Sequence, residues 1–86
     1  MKIYKYGNDN KKNIIGEKLK ELRTHKNMSQ KELATQFQLL GLQWSDLTVL
    51  RTEQGTRFVA DYEVAIISKY FGITADTLLK EIFTQD

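Results

Sequence analysis

Apolar residues recur at helical spacing along most of this chain, and each run stops at a short polar or glycine-containing break. Ile15, Leu19 and Leu22, at i, i+4 and i+7, predict a first helix from about Ile14 to His25 or Lys26, with Asn13 as its N-cap. Ser29 and Glu32 form the S-x-x-E pattern of a capping box and open a second helix. Leu33, Ala34, Phe37 and Leu40 supply its buried face, and Gly41 ends it in the left-handed conformation. Ser45 caps a third helix, Asp46 to about Glu53, which buries Val49 and the methyl side of Thr52 and stops at Gly55. Asp61 caps a fourth, Tyr62 to Phe71, with Val64, Ile67, Ser68 and Phe71 inward and Gly72 behind it. Thr74, followed three residues on by Thr77, opens a last helix through Phe83 that buries Leu78 and Leu79. With no proline, no Asn-Gly or Asp-Gly dipeptide and little alternation beyond the first six residues, the expected class is all-α with five helices.

Eighty-six residues suit one domain with a single modest core. The absence of cysteine excludes a disulfide framework and thiolate metal ligation, and one histidine cannot build a metal site alone. No apolar run approaches the ~20 residues that span a bilayer, and MKIYKYGNDNKKN lacks the apolar stretch of a signal peptide. A soluble, cytoplasmic protein without membrane association is therefore expected.

The net charge of +2 conceals a segregation. Residues 1–13 carry four lysines (Lys2, Lys5, Lys11, Lys12) against Asp9, with Asn8, Asn10 and Asn13 interspersed, and form a basic N-terminal arm. Residues 61–86 carry two lysines against five acids. A basic front and an acidic end suit a protein that meets a polyanion on one side and protein or solvent on the other, although chance segregation in so short a chain gives the same pattern. The arm can track a phosphate backbone or enter a minor groove; a solubilising tail or a short strand built on KIYKY is the alternative.

Catalysis finds no footing. His25, in THKN at the end of the first helix, has no neighbouring nucleophile and acid, and it reads as a surface residue at a helix C-terminus. There is no phosphate-cradling glycine loop, no cluster of metal ligands, and hence no cofactor or small-molecule substrate to expect.

Three stretches, IGEKLKELRTHKNMSQKELA (15–34), SDLTVLRTEQGTR (45–57) and SKYFGITADTLLKE (68–81), together resemble the phage repressor and Cro-like (XRE-type) helix-turn-helix DNA-binding domains. The specific part is L-x-x-L-R, a short spacer, M-S-Q-x-E-L-A, and E-x-G-x-R downstream. The resemblance implies a five-helix repressor-like domain over residues 14–83, binding double-stranded DNA as a homodimeric transcriptional regulator, a repressor of phage or mobile-element type. One departure is length: the path from Ala34 to Glu53 is about five residues longer than in the shortest members, and FQLLGLQW is the extra segment. Trp44 within it reads as a core plug, with an exposed stacking aromatic as the alternative.

The implied contact positions are Ser29 and Gln30 at the start of helix two, Asp46, Leu47, Thr48, Leu50 and Arg51 on the outward face of helix three, and Thr56 and Arg57 beyond it. Gln30 can point its amide at a phosphate beside free backbone N–H groups. Arg51 is the strong major-groove reader of the set, its planar fork matching guanine O6 and N7. Thr48 suits a phosphate or a base, Leu47 and Leu50 thymine methyls, and Asp46 a cytosine amino group. Thr56 and Arg57 can clamp the backbone beside the groove. Arg23 and Glu53 fall where the family places a structural ion pair. A face so poor in polar groups also fits a second reading, in which the same fold is a protein-interaction module that uses Leu47 and Leu50. An antitoxin-like control protein is a third. For the homodimer, Ile66 and Tyr70 on another face of helix four, with Ile82 and Phe83 at the end of the last helix, form the expected interface.

Overall fold

The computed structural model describes residues 11–79, and within them the chain forms five helices and no strand. They are α1 (Gly16–His25), α2 (Gln30–Leu39), α3 (Asp46–Gln54), α4 (Asp61–Phe71) and α5 (Ala75–Leu79). Ile82 and Phe83, and with them the expected end of the last helix, lie outside the described residues, as do Lys2, Lys5, Asn8 and Asn10 of the basic arm.

Local chemistry sets each boundary. Ser29 Oγ accepts from the Glu32 N–H at 3.0 Å while the Glu32 carboxylate accepts from the Ser29 N–H at 2.8 Å, a complete capping box. Ser45 and Thr48 exchange the same pair of bonds at the start of α3, with Thr48 in the place of the usual glutamate. Past the end of α1 at His25, Asn27 holds φ at 59° so that the Met28 N–H can reach back to the Arg23 carbonyl.

Three expected boundaries shift for identifiable reasons. α1 starts at Gly16 with Ile15 as its N-cap, because Asn13 is drawn away: it is buried, its Oδ1 accepts from the Ile15 N–H, and its amide donates to the carbonyls of Thr52 and Arg57. α4 is capped at Ala60 rather than Asp61; the Glu63 carboxylate accepts from the Ala60 N–H at 2.9 Å, and Asp61 stays exposed. Leu40, expected in the core, is 48% exposed. At Gly41 the chain turns through a φ of 99°, the Leu42 N–H bonds the Phe37 carbonyl, and Leu42 takes the buried place that Leu40 gives up.

The core is Ile15 and Leu19 from α1, Leu33, Ala34 and Phe37 from α2, Leu42 and Trp44 from the α2–α3 connection, Val49 from α3, Ile67 from α4 and Leu78 from α5. Trp44 is a core plug, edge-on to Phe37 at a centroid distance of 5.1 Å. From Phe37 the edge-to-face contacts continue to Tyr70 at 5.6 Å and from Tyr70 to Phe71 at 4.9 Å. The expectation that Ile66 and Tyr70 lie on a face the core leaves free is therefore not met. Both are half-buried and packed against the core, and the Tyr70 hydroxyl lies 3.7 Å from Met28 Sδ.

The start of α1 crosses the end of α3 at backbone contact. A Cβ on Gly16 would stand 2.5 Å from the Thr52 carbonyl oxygen and 2.6 Å from that of Glu53. Neither atom can swing aside as a side chain would, so Gly16→Ala forces the two helices apart. We predict that this substitution lowers the unfolding free energy by roughly 1–3 kcal/mol, read from the urea midpoint, despite the better helix propensity of alanine.

Candidate nucleic-acid interface

α3 lies between a buried side and an open side. Val49, Thr52 and Glu53 face inward, while Asp46, Leu47, Arg51 and Gln54 are exposed and Leu50 is half-exposed. Leu47, Arg51 and Gln54 follow one another at i, i+4 and i+7, so they share one stripe of the helix. The Arg51 guanidinium has no ion-pair or hydrogen-bond partner among the described residues, which leaves its fork available for a planar pair of acceptors. Gln54 is the member that the sequence reading missed; its spacing from Leu47 and Arg51 was the signal that could have found it.

Two buried carboxylates hold this helix in place. Glu53 accepts from Arg23 Nε at 2.6 Å and from a terminal guanidinium nitrogen of Arg23 at 3.1 Å, and the other terminal nitrogen of Arg23 donates to the Met28 carbonyl at 2.7 Å. Gln30 completes the cluster: its amide donates to Glu53 Oε1 at 3.1 Å. The side chain at the front of α2 is thereby pinned to the end of α3, with one amide hydrogen and the amide oxygen without a partner among the described residues.

Glu63 is the second hub, and nothing in its local sequence announced it. Its two oxygens accept from both terminal nitrogens of Arg57 at 3.1 and 2.7 Å, from Trp44 Nε1 at 3.1 Å and from the Ala60 N–H. The Arg57 guanidinium also lies 4.8 Å from the Trp44 ring centroid. This corrects the expected role of Arg57. Its fork is spent inward on a carboxylate and an indole, so it braces the α3–α4 connection instead of standing free as a backbone clamp.

The remaining expected positions sort by what occupies their polar groups. Ser29 and Thr48 are capping residues, Asp46 Oδ1 accepts from the Leu47 N–H at 2.9 Å, and Thr56 Oγ1 donates to the Arg51 carbonyl at 3.2 Å. Beside Thr56, the Lys12 N–H bonds the Gly55 carbonyl at 2.6 Å, and the Lys11 side chain covers Gly55, where an added Cβ would meet its Cδ at 2.8 Å. Residues 11–13 thus pack on the domain rather than trailing from it. They set two lysines next to the C-terminal end of α3, with the Lys12 ammonium 5.4 Å from the ring of Phe58, itself 70% exposed.

With this geometry in view, the fold is similar to the solved structure of the S. venezulae BldD DNA-binding domain, at a TM-score of 0.63 and 26% sequence identity, over 76% of this chain and 90% of that one. The chain is an all-α helix-turn-helix domain. No family model matches the sequence, and no curated protein sequence matches it. In this helix-turn-helix domain α2 and α3 form the motif and residues 40–45 connect them. No helix among the described residues is long and apolar enough to cross a membrane.

Both hubs have consequences for stability. Arg23→Met leaves Glu53 buried and unpaired and is expected to cost roughly 3–5 kcal/mol, whereas Arg23→Met combined with Glu53→Leu recovers most of the loss in equilibrium urea unfolding. For Glu63, burial raises the carboxyl pKa, but hydrogen bonds from Arg57, the Ala60 N–H and Trp44, with the Arg57 charge, outweigh it and hold the group below its ordinary value of 4.5. The stabilisation is thus complete above pH 4.5 and is lost as pH falls through the folded-state value. Glu63→Gln should be less stable than wild type at pH 7, and the gap between their urea midpoints should narrow steadily below pH 4.5.

Proposed function

We propose that this helix-turn-helix domain binds double-stranded DNA in a sequence-dependent way and acts in the cytoplasm as a transcriptional regulator, a repressor of the phage and mobile-element type. The observation that carries the reading is α3 itself: its inner side is anchored by Val49, Thr52 and Glu53, and its outer stripe presents Leu47, Arg51 and Gln54. Support comes from the likeness to a structure described as a DNA-binding domain. Lys11 and Lys12, pinned beside Gly55, supply positive charge at the end of that stripe, where a duplex lying along α3 would carry its phosphates. In this reading Arg51 pairs with a guanine edge, Gln54 with an adenine edge, and Gln30 with a phosphate, while Thr56, whose hydroxyl and N–H both donate to the Arg51 carbonyl, closes the end of α3.

A homodimer on a two-part site belongs to the proposal, because one short face gives limited discrimination and two-fold pairing doubles it; the two copies of α3 would then sit about 34 Å apart. A second reading, a protein-interaction module, is favoured by one observation: two adjacent leucines at the end of α2 stand open to solvent, Leu39 at 75% and Leu40 at 48% exposure.

Selection of duplexes from a random pool by gel shift at two salt concentrations tests the proposal. Enrichment of a defined site is the expected result, and uniform retention of all sequences would exclude specific reading. On the selected site, Arg51→Ala is expected to lose roughly 1–3 kcal/mol and to relax one base position. Lys11→Ala with Lys12→Ala should weaken specific and random DNA alike and reduce the slope of log K against log salt by about 1 for each phosphate that is no longer neutralised.

A further inference from the structure

The front turn of α3 carries three side chains with hydrogen-bonding heads and one without. Ser45 Oγ accepts from the Thr48 N–H at 3.2 Å and lies 3.1 Å from Thr48 Oγ1, which accepts from the Ser45 N–H at 3.1 Å. Asp46 Oδ1 takes the Leu47 N–H. Both hydroxyls and one Asp46 oxygen are thus turned back onto the helix's own N-terminus. Leu47, 46% exposed, is the apolar side chain which that turn presents outward, with Leu50 half-exposed three residues on, in the next turn of the helix.

A leucine has no donor or acceptor, so it cannot read the polar code of a base-pair edge. The feature of the major groove that it can distinguish is the C5 methyl group of a pyrimidine, by burying it. We infer that Leu47, backed by Leu50, reads a pyrimidine 5-methyl group, so that the bound site holds a thymine seated against Leu47 and, one helical turn along α3, a guanine under Arg51. The inference rests on the DNA reading proposed above and adds the specificity of its front turn. Uracil and cytosine bear only hydrogen at C5 and leave a gap at the leucine; loss of one buried methyl corresponds to about fourfold in affinity.

The test uses the full chain and the best duplex from the random-pool selection. Each thymine in turn is replaced by deoxyuridine, which removes the methyl and nothing else, and affinities are measured by competition gel shift for the wild type and for Leu47→Ala, with helicity checked by circular dichroism. The expected result is one or two positions at which deoxyuridine weakens the wild type roughly three- to fivefold and does not further weaken Leu47→Ala. At such a position 5-methylcytosine should bind better than cytosine. Insensitivity of the wild type to every deoxyuridine substitution, or a Leu47→Ala variant as sensitive as wild type, overturns the methyl reading while leaving DNA binding intact. Failure to enrich any duplex at either salt concentration overturns both.

Discussion

A carboxylate buried at the end of the exposed helix governs this architecture. Glu53 is on α3, is only 8% exposed, and receives the fork of Arg23 from α1 and the amide of Gln30 from α2. An unpaired charge at that depth is strongly unfavourable, so the three helices meet at one register or not at all. The same end of α3 takes the backbone of Gly16 and the amide of Asn13, two contacts that a larger or differently placed residue would abolish. Slippage of α3 along α1 by a single turn would break all of these together. What faces outward on α3 is thereby decided by what is bonded on its inner side.

Glu63 performs the matching task for the turn between α2 and α3. Six extra-helical residues, 40–45, join α2 to α3, and a connection of that length does not hold the angle between its helices by itself. Leu42 and Trp44 fill the space beneath it, Gln38 donates to the Trp44 carbonyl at 2.6 Å, and the Trp44 indole N–H is bonded to Glu63 on α4. The carboxylate is shared with Arg57, so the connections on both sides of α3 converge on one residue of α4. A turn of this length holds its shape because its interior is packed and its buried indole N–H is satisfied.

How much of this was legible in the sequence follows from the range of each interaction. Signals within four residues read correctly: the capping box at Ser29, the cap at Ser45, the pair of threonines at 74 and 77, and the apolar stripes of α1 and α3. Leu40 misread because periodicity continues on paper past the point where Gly41 reverses the chain. Tyr70 and Ile66 misread because a helical wheel for α4 alone shows neither Phe37, which reaches Tyr70 from α2, nor the core packed against Ile66. Arg57 and Glu63 are six residues apart, and Trp44 and Glu63 nineteen, separations that carry no local signature. The Arg23 and Glu53 pair, thirty residues apart, was reached only through the likeness to a family that places a pair there.

The outer face of α3 shows why such firm anchoring matters for a surface with few polar groups. Its front-turn hydroxyls and one oxygen of Asp46 bond the helix's own N-terminus, which strengthens the helix and leaves fewer of their polar atoms for a partner. Among the described residues the outer stripe then offers the Arg51 guanidinium, the Gln54 amide and two leucines, too few groups to tolerate loss of orientation. A mobile helix would spend much of any binding free energy on ordering itself. Here the ordering is done by Glu53, Glu63 and the core beneath them, so a partner of this face would not have to supply it. Capping and recognition draw on the same residues at a helix N-terminus, and in this chain the division falls toward stability, with Leu47 left as the front-turn side chain that needs no hydrogen bond.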